Sequence, residues 1–134
     1  MKRRYYCPEC NANLNPNVKI ILMVQCRGHQ GLILLSPRPG DYSIIVADEI
    51  ELQEGDLVAF HCPVCGAVLD AEEKEGMAHL MFRFSNGNQG TVYFSRRFGE
   101  HATYFVAVDE VRVYGRNASP PVAMNFFGSG QDQD

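Results

Sequence analysis

Four thiols offer the clearest chemistry in this chain. Cys7 and Cys10 enclose Pro-Glu, and Cys62 and Cys65 enclose Pro-Val. Two residues between cysteines place both sulfurs on one tight turn, which is half of a tetrahedral shell. Zinc fills such a shell with four thiolates at about 2.3 Å each. The likeness extends past the thiols. "YYCPECNANLN" (5–15) and "FHCPVCGAVLD" (60–70) share the pattern aromatic-x-Cys-Pro-x-Cys-(Asn/Gly)-Ala-x-Leu-(Asn/Asp). Pro8 and Pro63 fix φ inside the turn. Gly66 tolerates the positive φ that directs backbone N–H groups towards sulfur, and Asn11 is the next most tolerant residue. The repeat therefore carries the backbone demands of a metal-binding turn together with its ligands.

One shared site is expected rather than two. Fifty-one residues (11–61) separate the pairs, and closing such a loop costs on the order of 3–4 kcal/mol. Structural zinc supplies roughly 10–16 kcal/mol apparent, so the long insertion is no obstacle. The rival chemistry is thiol–disulfide exchange, in which a Cys-x-x-Cys pair opens a helix whose N-terminus lowers the thiol pKa. Cys10 is followed by Asn-Ala-Asn-Leu-Asn-Pro and Cys65 by Gly, both poor helix starts. The metal reading is preferred.

Other candidates are weaker. Cys26-Arg27-Gly28-His29 has Cys-x-x-His ligand spacing but reads more simply as a polar hairpin tip with a half-buried Cys at its base. His61, beside Cys62, is expected to point away from the ligand side of its strand, and His79 and His101 read as strand-face and loop residues. "SRRFGEH" (95–101) gathers Ser, Arg, Glu and His, but adjacent polar residues between two strands are ordinarily a loop. Four thiolates leave no open coordination position for water or substrate, which argues against hydrolytic chemistry.

The elements that must position these thiols read as strands. "VKIILMV" (18–24) and "LILL" (32–35) flank the polar "QCRGHQG", "YSIIVA" (42–47) follows a Pro/Gly break, and "LVAFH" (57–61) runs into the second pair. "DAEEKEG" (70–76) reads as a charged turn. Ala78, Leu80, Phe82 and Phe84 then alternate with His79, Met81 and Arg83, and "SNGNQG" (85–90) turns the chain back into "TVYFS". Tyr104, Val106 and Val108 alternate again, and Val111 and Val113 share one side of "VRVYG". These make about eight short strands, and frequent Gly and Pro leave no room for a long helix.

The chain has 134 residues, 46% of them apolar, with 12 basic and 16 acidic side chains. That suits one domain with an ordinary core, and the acidic balance counts against nucleic acid, whose binding rests on phosphate neutralisation. Apolar runs are far short of the roughly 18 residues that span a membrane. Five cysteines and no apolar stretch ahead of the first indicate a reducing, cytoplasmic setting. Residues 1–115 are expected to form a single zinc-stapled domain. Residues 116–134, rich in Pro, Gly, Ser, Gln and Asp, are expected to be a flexible tail in which Phe126 and Phe127 could dock.

The "CPVCG" turn resembles the metal knuckle of zinc ribbons and rubredoxins. More broadly the chain is similar to a family of small bacterial proteins with two Cys-x-x-Cys pairs about fifty residues apart. The likeness is carried by "CPEC", "GLILLSPRPGDYS", "GDLVAFHCPVCGAVL", "FSRRFGEHATYFV" and "VYGRNA". It implies Cys7, Cys10, Cys62 and Cys65 as metal ligands and brings no established activity. The expected fold is all-β: a zinc-ribbon-like four-cysteine site joined to a small antiparallel sheet domain, sandwich or barrel-like, with little helix. The expected function is a non-enzymatic zinc protein whose β surface meets a protein partner or a second copy. A rubredoxin-like iron centre for electron transfer and a nucleic-acid or transcription-associated zinc ribbon are the alternatives.

Overall fold

The computed structural model describes residues 3–107 and 110–118. Among them nine strands form two antiparallel sheets, and no helix occurs. The larger sheet contains β1 (Arg3–Tyr6), β6 (Met77–Phe84), β7 (Gln89–Ser95), β8 (Thr103–Ala107) and β9 (Val111–Tyr114), neighbours in that order. The smaller holds β2 (Ile20–Cys26), β3 (His29–Leu35), β4 (Ile44–Val46) and β5 (Ala59–His61), ordered β4-β3-β2-β5. The whole insertion between the cysteine pairs thus becomes the smaller sheet, threaded between the first strand of the larger sheet and the rest.

The two sheets share one core. Tyr5, Leu80, Phe82, Val92 and Phe105 on the inner face of the larger sheet join Ile20, Leu22, Val24, Ile33 and Phe60 of the smaller in a single buried cluster. Register explains which side chains arrive there. Leu80 pairs with Val92, and Val92 with Phe105, so one inward row crosses three strands, while His79, Tyr93 and Tyr104 form the adjacent outward row. Aromatic rings in this core meet edge-on in several pairs, as Phe82 against Phe105 at 5.1 Å and 74° and Phe60 against Phe94 at 5.2 Å and 82°. The sheets are not closed into a barrel, so of the two expected forms the layered one is found. No helix among the described residues is long and apolar enough to cross a membrane.

Differences from the sequence expectation are local and have physical causes. The polar "QCRGHQG" stretch is strand almost throughout: Cys26 pairs with His29 and Gln25 with Gln30. Only Arg27 and Gly28 turn, at φ 51° and 81°, the two positive values that a two-residue hairpin needs. β1 escaped the pattern rules because "RRYY" shows no alternation, yet Tyr5 is inward and buried. Val108 and the tail residues 119–134, including Phe126 and Phe127, lie outside the described residues. Of the expected tail, Asn117 is described, and it exchanges two hydrogen bonds with the His101 backbone.

The outer edge of β1 is closed by a side chain. Asn15, buried, accepts from the Tyr5 N–H through Oδ1 at 2.9 Å and donates through Nδ2 to the Arg3 carbonyl at 2.7 Å. It stands in for the next strand's backbone, which an exposed edge would otherwise lack. Replacing Asn15 with Ala is predicted to lower stability by about 2 kcal/mol or more, from the backbone groups left without partners. Urea unfolding of the metal-loaded protein measures it, and a loss under about 0.5 kcal/mol would contradict the role.

Candidate metal centre

The two echoed segments fold into the same object, a short hairpin with the cysteine pair at its turn. In the first, the Cys7 N–H donates to the Ala12 carbonyl, Asn11 to Cys7 and Leu14 to Tyr5. In the second, Cys62 donates to Ala67, Gly66 to Cys62 and Leu69 to Phe60. Each bond in one hairpin has its counterpart at the matching residue of the other. Asn11 and Gly66 take φ of 65° and 77°, the left-handed backbone that closes the turn. Leu14 and Leu69 anchor the returning arms in the core and are among the most completely buried side chains. The sequence pattern contained both leucines, and their depth is what the structure adds.

Facing one another, the hairpins bring four sulfurs together. The Sγ atoms of Cys7, Cys10, Cys62 and Cys65 all lie within 4.8 Å of one another. Cys7 to Cys65 and Cys10 to Cys62 are both 3.8 Å. A tetrahedron with bonds of about 2.3 Å has edges of about 3.8 Å, so the spacing is that of a shell able to hold a metal ion. Disulfide sulfurs would sit at about 2.0 Å, and all four cysteines are free. Each hairpin contributes one buried sulfur, Cys7 or Cys62, and one exposed, Cys10 or Cys65.

Backbone amides stabilise negative charge on these sulfurs. Glu9 and Cys10 N–H groups reach the Cys7 sulfur at 3.3 and 3.4 Å, and Val64 and Cys65 reach Cys62 at the same two distances. Four thiols this close titrate as a set. Burial raises the Cys7 thiol above its ordinary value, against the pull of the Cys10 and Glu9 amides. Burial opposes ionisation of Cys62 too, but the Cys65 and Val64 amides and the thiols of Cys7 and Cys65 outweigh it, and Cys62 is lowered. At Cys10 and Cys65 the Ala12 and Ala67 amides favour the thiolate, yet burial and neighbouring sulfurs leave both raised. Ionisation is thus favoured at Cys62 and opposed at the other three sulfurs. A divalent ion removes the penalty on the remaining three by supplying positive charge at their centre.

The other sequence candidates lie apart. Among the described residues no other group of three or more His, Cys, Asp or Glu side chains is placed to hold an ion. Cys26 is buried in the core cluster and His29 is exposed across the hairpin from it. His61 is half-buried, pairs with Met23, and keeps a buried Nε2 without a partner. His79 sets Nδ1 3.1 Å from the Leu69 carbonyl, and His101 stacks on Tyr42.

Acid should empty the centre. Three of its thiols are raised, so they favour the protonated form, and lowering the pH shifts each sulfur from ligand to S–H. Metal release followed with a colorimetric chelator should therefore rise as pH falls from about 8 to about 4; full retention across that window would contradict thiolate ligation. The chain matches no family model, no curated protein and no solved structure, so its centre is read from its own geometry.

Proposed function

We propose that this chain is a non-enzymatic zinc-binding protein whose four-thiolate centre, made by Cys7, Cys10, Cys62 and Cys65, fastens two sheets into one domain that meets a protein partner. The observation that carries the reading is the pair of 3.8 Å sulfur separations across matched hairpins. A shell closed by four thiolates offers no position for substrate, which fits a structural ion. Kinship with the small bacterial proteins bearing two Cys-x-x-Cys pairs belongs to the same reading, as does a cytoplasmic setting, where thiols stay reduced.

Support for a partner comes from the outward side of the smaller sheet. β2 and β3 are apolar on both faces, as strands covered on both sides are. Ile21 pairs with Leu34 and Met23 with Leu32, and Leu34 with Ile45. Leu32 is 45% exposed and Ile45 54%, with no charged side chain in this group. A contiguous apolar face of this kind marks a protein contact surface, met by another chain or by a second copy of this one.

Metal content and absorption of the purified protein test the centre. The expected result is one equivalent of zinc and no visible absorption. Red charge-transfer colour bleached by reductant would assign iron and electron transfer instead. Cys7→Ser and Cys62→Ser should each lose the metal and most of the stability, because the two hairpins share a single ion. Full metal retention by either variant would overturn the shared site.

A further inference from the structure

Between the inner faces of the two sheets lies a cavity of about 390 Å³, with no cysteine in its lining. Ile33 and Phe60 of the smaller sheet face Leu80, Val92 and Phe105 of the larger across it. A well-packed core of this size leaves only voids near the volume of a water. Small-molecule sites occupy roughly 300–1,000 Å³, with apolar walls and a few polar groups at fixed places. This space meets that description.

Its mouth is formed by two loops far apart in sequence, 36–43 ("SPRPGDYS") and 95–101 ("SRRFGEH"). Tyr42 pins the first loop to β8: its hydroxyl is 2.7 Å from Thr103 Oγ1 and its ring lies flat on His101, centroids 4.2 Å apart at 1°. Deeper in, the Tyr5 hydroxyl donates to the Pro37 carbonyl at 2.7 Å. The loops are therefore fixed in place by hydrogen bonds and ring stacking.

Charges at the mouth are unevenly engaged. Asp41 accepts from the Ser43 N–H and hydroxyl at 3.1 and 2.8 Å, and Glu100 accepts from the Ser95 hydroxyl. Arg97 spends one donor on the Gly55 carbonyl at 2.8 Å. The exposed Arg38 guanidinium makes no ion pair among the described residues. Guanidinium donors of Arg38 and Arg97 thus stand beside an apolar space whose lining also carries the carboxylates of Asp41, Glu54 and Glu100. Planar, bidentate recognition of a carboxylate is what such donors do best.

We propose that the cavity binds a small amphipathic acid, its apolar body between the sheets and its carboxylate at Arg38 and Arg97. Such binding would be an activity separate from the metal centre and from the outward face of the smaller sheet.

The test is calorimetric titration of the metal-loaded full chain with decanoate below its micellar concentration, with decanol and decylammonium as comparison probes. Decanoate should bind, and decanol and decylammonium should bind at least about ten-fold more weakly. Arg38→Glu, on an exposed loop, should weaken decanoate by about ten-fold. Ile44→Trp, which places a larger ring into the cavity wall from the short edge strand, should abolish it. Ile45→Lys, one residue on and facing outward, should leave it unchanged. No binding of decanoate, equal binding of decanol, or loss of binding in Ile45→Lys with retention in Ile44→Trp would each overturn the proposal.

Discussion

The chain passes between its two sheets twice, and a cysteine hairpin sits at each passage. The first carries it from β1 into the smaller sheet, the second from β5 back to β6. Meeting of the four sulfurs is the constraint on which the layered arrangement depends. Without it, β1 is a four-residue strand joined to its sheet only through β6, with about seventy residues of intervening chain to order. With it, both ends of the smaller sheet are tied to one point. The arrangement also explains why the two segments repeat beyond their cysteines. Each must reverse direction, turn amides towards sulfur and bury an aromatic and a leucine at its base, and the same residue types meet the same demands.

That geometry divides labour inside a chain of modest size. A core shared by two small sheets buries a limited apolar area, and small domains commonly add a metal to reach useful stability. A four-cysteine cluster able to hold an ion would supply that addition here and leave the rest of the core less constrained. Space remains between the sheets where tighter packing would otherwise be required, and the smaller sheet keeps apolar side chains on its outward face. A fastening concentrated at one end is compatible with both features.

Much of this was legible in the residues. The repeated eleven-residue pattern marked the four cysteines that meet and the positive φ after each pair, since those demands are local and leave a mark at fixed positions. Period-two alternation gave β6 with the correct faces, Ala78, Leu80, Phe82 and Phe84 inward. The hairpin at Arg27-Gly28 was blurred because polarity suggested a loop, while two positive φ values let the strands continue to the tip. β1 was hidden for another reason: its partner β6 lies more than seventy residues on, and nothing in "RRYY" announces the pairing. The cavity was illegible in principle. Its mouth joins two loops that meet only after both sheets have formed, and no local signal records the space left between side chains.

The unequal exposure of the sulfurs has a kinetic meaning. Cys10 and Cys65 face solvent, while Cys7 and Cys62 are enclosed, so an oxidant or a competing chelator meets the outer pair first. Those two can be released before the inner two are touched. The enclosed sulfurs belong to different hairpins, one at each passage between the sheets. A bound ion reduced to those two ligands would still span both passages, so its exchange would begin at the surface while the sheets stay joined.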